Sequence, residues 1–267
     1  MDEKGEMDRV AGVFDLYELQ ETAKAIRGLS NDLYGVCKKV DFDKAFEQLQ
    51  GVLERDFISS GSTDPSFRKN LHSALIRLVN SATKANSALV KKQVKDFDTS
   101  MQRINNSYGV IGDVVKSLIE SKKMTIKQHY YAECFGYLLV VEGVFRELCE
   151  YLLMLDDIRM GRSRSFSEIE SLPLFELVVN GLKSKADIAV LTDGYDNHLR
   201  NAIAHANFKF DETTQKMNFK DEYKGKVTSI DLEIEEFGEY YLKIDDLYKL
   251  ISSIWMLGKL VTIYHDC

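Results

Sequence analysis

Only two prolines, Pro65 and Pro173, occur in a chain of 267 residues. Inside a helix a proline removes a backbone hydrogen bond and clashes with the turn before it, at a cost of about 3 kcal/mol. A sequence so free of them can build long uninterrupted helices, and a loop-rich or all-β architecture is disfavoured. With 45% hydrophobic residues there is enough apolar material for one large domain or two smaller ones, with no need of disulfides or metal to hold a core.

The spacing of the apolar residues turns that permission into a prediction of a mainly α fold, a helical bundle. From Val13 to Phe57 they recur at helical intervals, as Leu16, Leu19, Ala23 and Ile26 and then Phe42, Phe46, Leu49 and Leu53. Residues Ser59 to Ser66 read as a loop ending in a helix start. Helical spacing resumes from Phe67 to about Glu120, through Leu71, Leu75, Leu78, Val90, Val94, Phe97, Met101, Ile104, Val114, Val115 and Leu118. Gly109 and Gly112 are the expected break, and a long helical hairpin the expected outcome. The most apolar block runs from about Thr125 to Leu155 and is expected to be the central helix of the bundle. A loop with Arg159, Arg162 and Arg164 follows, then a helix over Pro173 to about Leu182 and a short one over about Gly194 to Ala206.

After the short helix the period changes to two. Phe208 and Phe210, Met217 and Phe219, and Ile230, Leu232 and Ile234 alternate with other residues, which predicts a small antiparallel β-hairpin or sheet. A closing helix is expected from a cap at Asp245 or Asp246 to about Tyr264. A division near Thr125 separates an N-terminal helical region, 1–124, expected to recognise a partner or substrate, from a helical domain with a small β insertion, 125–267.

Net charge is -7. Lysine and arginine neutralising phosphates supply most non-specific nucleic-acid affinity, so a coat-like or histone-like role is excluded, and any RNA contact is expected from a local basic patch. Cys37, Cys134, Cys149 and Cys267 form no CxxC pair and read as reduced thiols. The charged N-terminus lacks the apolar stretch of a signal peptide, and apolar runs such as Tyr137 to Val141 fall short of the roughly 20 residues that span a membrane. A cytoplasmic protein with no membrane partner is expected. No HExxH and no paired Cys/His spacing suggests a metal site, and no cofactor is expected.

The chemically loaded segment is Asn197-His198-Leu199-Arg200-Asn201-Ala202-Ile203-Ala204-His205-Ala206. At about 100° per residue, Leu199, Ala202, Ile203 and Ala206 form one apolar stripe. Asn197, His198, Asn201, Ala204 and His205 lie opposite, with Arg200 at one margin. Arg200 and His205 stand about 140° apart around the axis. One helix cannot easily aim both at a single atom, whereas two copies across a two-fold axis would pool them in one cleft, and symmetric dimers are the commonest oligomers.

Arg200-Asn201-Ala202-Ile203-Ala204-His205 resembles the R-x4-6-H motif of the HEPN superfamily, often with a polar residue directly after the arginine. The resemblance covers this motif and the apolar helices from about Thr125, and does not extend to the first ~125 residues. It implies a helical bundle that homodimerises and, in many relatives, a metal-independent endoribonuclease used in toxin–antitoxin pairs, phage defence or CRISPR systems. His205 would then act as general acid or base in attack by the neighbouring 2′-hydroxyl, since histidine titrates near working pH. Arg200 would stabilise the phosphate and Asn201 would orient it or His205. Arg159, Arg162, Arg164 and Asn197 are the expected RNA contacts, and an antitoxin or regulatory protein is a further expected partner. One subgroup carries a tyrosine two residues after the histidine. Here Asn207 stands there, which puts regulation by modification of that tyrosine in doubt.

Other residues carry milder expectations. His198 reads as a surface or dimer-contact residue, and His72, His129 and His265 as structural or solvated. Tyr130 and Tyr131 are expected in packing, with base stacking as the alternative. Two further functional readings remain open: a HEPN-like bundle that binds a nucleotide or RNA end without catalysis, and a helical adaptor whose first ~125 residues bind a protein.

Overall fold

A computed structural model describes residues 3–35, 42–119 and 124–265. Most of its helices form where the apolar spacing predicts them. In order they are α1 (Glu3–Leu16), α2 (Gln20–Gly35), α3 (Phe42–Ser60), α4 (Pro65–Ile119), α5 (Ile126–Val140), α6 (Arg146–Arg159), α7 (Phe166–Glu170), α8 (Asn197–Ala204) and α9 (Ile234–His265). Helix α1 starts ten residues before Val13, and α7 is not among the expected helices. Strands β1 (Phe208–Asp211), β2 (Lys216–Tyr223) and β3 (Lys226–Leu232) make one antiparallel sheet in the order β1-β2-β3. Phe208 faces Phe219, and Phe219 faces Ile230. The fold is mainly α with a small sheet after the motif helix, as the periodicities require. No helix among the described residues is long and apolar enough to cross a membrane. Cys134 and Cys149 are free and buried, while Cys37 and Cys267 lie outside the described residues.

Contacts divide the chain into two compact units: residues 1–76 with 249–267, and residues 77–248. Thr125 is the N-cap of α5. It forms a capping box in which its side chain accepts from the Gln128 N–H and the Gln128 side chain accepts from its own N–H. In the first unit Met7, Ala11, Phe14, Ala23, Ile26, Leu53 and Phe57 are buried together with two polar anchors. The Asp56 carboxylate takes the Thr22 N–H at 2.8 Å and its hydroxyl at 2.9 Å. Arg68, itself buried, donates to the Ile58 carbonyl from Nε at 3.0 Å and from Nη2 at 2.6 Å, closing the loop before α4.

The second unit is built on α5 and α6, which join through a π-helical segment, Val141–Phe145. Tyr137, Val144, Phe145, Leu148 and Leu152 are fully buried along this axis. Phe97 of α4 stacks on Tyr151 at 4.2 Å, and Tyr108 on Tyr248 at 4.3 Å. Tyr130 packs on Phe210 and Tyr131 on Phe208, which assigns both tyrosines to packing.

Two boundaries differ from expectation. Gly109 and Gly112 continue α4 as helix; the interruption is at Asn86 (φ -160°, ψ 88°), whose side chain accepts the Leu89 N–H at 3.0 Å as a cap for the second arm. The closing helix begins at Ile234, not at Asp245 or Asp246. Those two aspartates sit buried inside α9, and Tyr108 donates its hydroxyl to Asp245, so a residue type that reads as a cap is here an interior acceptor. The true start is held by Glu236, whose carboxylate accepts the Glu233 N–H at 2.9 Å.

Candidate functional site

The motif helix α8 is short, and both of its ends are fixed. The Asp196 side chain caps it by accepting the Leu199 N–H at 2.9 Å. Just before it, the buried Tyr137 hydroxyl donates to the Gly194 carbonyl at 3.2 Å and accepts the Asp196 N–H at 3.4 Å. Gly194 is required there. A Cβ would stand 2.5 Å from Ile244 Cγ1 and 3.0 Å from the Tyr240 carbonyl oxygen, so any side chain would push the segment leading into α8 away from α9. At the far end the Ala206 N–H reaches the Ile203 carbonyl at 3.0 Å and the Asn207 N–H the Ala202 carbonyl at 2.7 Å. This is a Schellman ending with alanine, not glycine, in the left-handed position, at φ +53°. Left-handed backbone costs an L-residue about 1–2 kcal/mol, so mild strain is stored directly after His205.

Leu199, Ala202 and Ile203 of the expected apolar stripe are buried, whereas Ala206, its fourth member, is exposed because α8 ends at Ala204. Arg200 turns toward α5's continuation: its Nε donates to Glu142 Oε1 at 2.6 Å, its Nη2 also pairs with Glu142, and its Nη1 donates to Asn201 Oδ1 at 3.0 Å. Glu142 belongs to the π-helical segment, where the Arg146 N–H reaches back five residues to the Val141 carbonyl. Such segments insert a residue into the helical register. Here Val141, Val144 and Phe145 remain buried while Glu142 is left on the α8 side.

Beyond Arg200, Asn201 Nδ2 donates to Asp221 Oδ2 at 3.4 Å, and His198 Nδ1 lies 2.7 Å from the same oxygen. Tyr195 donates its hydroxyl to Asn197 Oδ1 at 2.9 Å and stacks its ring on Phe145. Burial holds the Tyr195 phenol well above its ordinary range, against the opposing charge of Arg200, so it stays a donor.

These groups meet at a cavity of about 570 Å³. Arg200, Asn201, Asn197, His198, Asp221 and Arg146 supply its polar lining, and Pro173, Phe175 and Tyr223 part of its apolar wall. His205 is exposed at the end of α8 and is not part of that lining. A shallower hollow of about 230 Å³ lies just past it, with Lys209 and Lys220 on its walls. Among the described residues no group of three or more His, Cys, Asp and Glu side chains is placed to hold a metal ion.

The three loop arginines are not in the cavity lining either, and each faces a carboxylate. Arg159 Nε donates to Asp156 Oδ1 at 2.7 Å and the same guanidinium pairs with Asp187. Arg164 holds both Asp157 oxygens, at 2.6 and 2.7 Å, and Arg162 stands 3.5 Å from that carboxylate. Asp156 and Asp157 are buried.

Four site residues escaped the sequence reading as site residues: Glu142, Arg146, His198 and Asp221. Glu142 and Asp221 come from elements 58 and 20 residues away from their α8 partners, and no local spacing announces such pairs. His198 did carry a signal, lying one helical turn before Asn201 on the same polar face. Arg146 sits inside an apolar run and bonds to Glu150 and to the carbonyls of Glu170 and Leu172.

No curated protein and no solved structure matches the chain. The family model described as HEPN pEK499 p136 matches residues 67–254, a span that contains α8, the π-helical segment carrying Glu142 and the whole sheet. On that match, which covers most of the sequence, the chain belongs to the HEPN pEK499 p136 family.

Proposed function

We propose that the protein is a metal-independent endoribonuclease acting on single-stranded RNA, with α8 as its catalytic helix. Membership of a HEPN family supports an RNA-related role. The observation that carries the finer reading is the setting of Arg200. It lines an open cavity beside Asn197 and Asn201, and its counter-ion, Glu142, is 36% exposed and readily resolvated. A phosphate entering the cavity can replace Glu142 on the guanidinium fork and gain paired, charge-assisted hydrogen bonds. Asn201, already bonded to Arg200, keeps that fork in place.

In this reading His205 transfers a proton as the 2′-hydroxyl attacks the adjacent phosphorus, and it does so from outside the cavity of its own copy. A homodimer that brings a second copy's α8 alongside supplies the arrangement, and the exposure of His205 supports it. Lys209 and Lys220 give the RNA backbone a positive path past the end of α8. Arg159, Arg162 and Arg164, committed to aspartates, contribute less to RNA than their charge suggests. The reading extends to a cytoplasmic role in phage defence or a toxin–antitoxin pair, with an antitoxin or regulator as partner. It also has residues 125–267 carrying the chemistry and the 1–124 region recognising a partner or substrate.

The test is cleavage of a single-stranded RNA by purified protein in EDTA, with analysis of the product ends. Cyclic 2′,3′-phosphate and 5′-hydroxyl ends are expected, and Arg200→Ala and His205→Ala should each slow cutting by at least about 10²-fold without loss of helicity. Undiminished cutting by both variants sinks the assignment.

A further inference from the structure

We propose that His198, oriented by Asp221, is the general base of this site. The inference rests on the ribonuclease reading and adds to it a residue outside the Arg200–His205 motif.

Asp221 is the first observation. Along β2 the alternate residues Met217, Phe219 and Asp221 are buried and Lys220 and Glu222 are exposed. A carboxylate therefore occupies the third position of an otherwise apolar inward face, 7% exposed. Burying an unpaired charge is costly, and breaks of this kind in a binary pattern concentrate at functional sites. Both side-chain partners of this carboxylate, His198 and Asn201, belong to the polar face of α8 and line the same cavity as Arg200.

The tautomer is the second. An ionised carboxylate only accepts, so the contact at 2.7 Å is a bond from the His198 Nδ1–H. A neutral imidazole with its proton on Nδ1 carries its lone pair on Nε2, at the opposite edge of the ring. The described residues offer Nε2 no partner, and His198 is 47% exposed on the cavity. A carboxylate that fixes the tautomer and leaves Nε2 toward a reactant is the arrangement by which an acidic residue prepares a histidine base.

The chemistry then has a place for both histidines. Cleavage by 2′-hydroxyl attack forms one P–O bond, from O2′, and breaks another, to O5′. It moves one proton off O2′ and one onto O5′. His198 Nε2 takes the first proton while Arg200 holds the phosphate oxygens in the same cavity. His205, of the same or a second copy, gives the second to the departing 5′-oxygen. Proton count and charge balance with no metal, oxidant or further reactant.

Single-turnover cleavage by the full-length chain tests this, using two RNA substrates: an ordinary one and one with sulfur in the bridging 5′ position, whose thiolate leaves without a proton. His198→Ala is expected to slow cleavage of both by roughly 10²- to 10⁴-fold and to flatten the limb of the pH–rate profile that rises as a base loses its proton. Asp221→Asn, which no longer fixes the tautomer, is expected to lose up to about 10⁴-fold. His205→Ala should fail on ordinary RNA and recover on the sulfur substrate.

A binding measurement stands apart from turnover. The imidazole NMR signal of His198 should shift when the wild-type protein is titrated with an oligonucleotide carrying 2′-deoxyribose at the cleavage position. If wild-type protein cuts RNA, but His198→Ala cuts at the same rate with an unchanged pH profile, the base assignment is overturned and the ribonuclease reading survives. If the sulfur substrate rescues His198→Ala, His198 is not the base. If the wild-type protein neither cuts RNA nor shows the NMR shift, both readings fall together.

Discussion

Arg200 and the arginines of the 159–164 loop belong to the same compact unit and are all ion-paired, yet their partners differ in one decisive respect. Asp156 and Asp157, which hold the loop arginines, have side chains 0% and 3% exposed, whereas Glu142, which holds Arg200, is 36% exposed. Taking an arginine from a buried carboxylate leaves an unpaired charge at low dielectric, at a cost of about 3–5 kcal/mol. Taking it from a half-exposed one costs roughly 0–1 kcal/mol, because water replaces it. The availability of a positive charge to a ligand is therefore set by the burial of its counter-ion more than by its own exposure. By that measure the loop arginines hold the fold together, and Arg200 is the one poised for exchange.

The largest effect expected from this contrast is on stability. Arg164→Ala leaves Asp157 with only the longer contact to Arg162 and should cost about 3 kcal/mol, read from the midpoint of urea unfolding. RNA affinity of the folded variant should be nearly unchanged. The contrast breaks if the stability holds and the affinity falls. Arg200→Ala should do the reverse, lowering stability by no more than about 1 kcal/mol.

Glu142→Gln sharpens the contrast from the other side. Removing the competing charge should tighten binding of a non-cleavable RNA by up to roughly fivefold, the equivalent of a surface ion pair. Weaker binding would mean that Glu142 positions Arg200 more than it competes for it.

The smallest effect is a pH dependence. Hydrogen bonding from Arg159 holds the Asp187 carboxyl below its ordinary 3.8. A carboxyl depressed in the folded state contributes stability above the unfolded value and loses it as the pH falls through the folded one. Acid unfolding of wild-type protein should therefore include a component below about pH 4 that is reduced in Arg159→Gln.

Much of this fold could be read in the sequence because its determinants are local. The apolar intervals between Thr125 and Leu155 give α5 and α6, and the two-residue alternation of Phe208, Phe210, Met217 and Phe219 gives the strands. The π-helical segment left no such trace. Its single extra residue changes the register within an unbroken apolar run, and with it the direction of Glu142. Asp245 and Asp246 misled for a related reason, since a residue that suits a cap by composition also suits a buried acceptor when a tyrosine from α4 reaches it. At the site, Asn197, Arg200 and Asn201 share a helical face and were legible together. Glu142 and Asp221, the carboxylate partners of Arg200 and Asn201, come from distant elements and required the fold.

The central claim is that Arg200, and not the arginine-rich loop, handles the scissile phosphate. Single-turnover cleavage of one single-stranded RNA in EDTA tests it most directly, comparing wild type, Arg200→Ala and Arg162→Ala. Arg162 is the most exposed of the loop arginines (48%) and has the longest ion pair, so its removal should leave the fold intact. A loss of about 10²- to 10³-fold in Arg200→Ala, with Arg162→Ala at the wild-type rate, is the predicted result. Wild-type cleavage by Arg200→Ala, or an equal loss in Arg162→Ala, would contradict it.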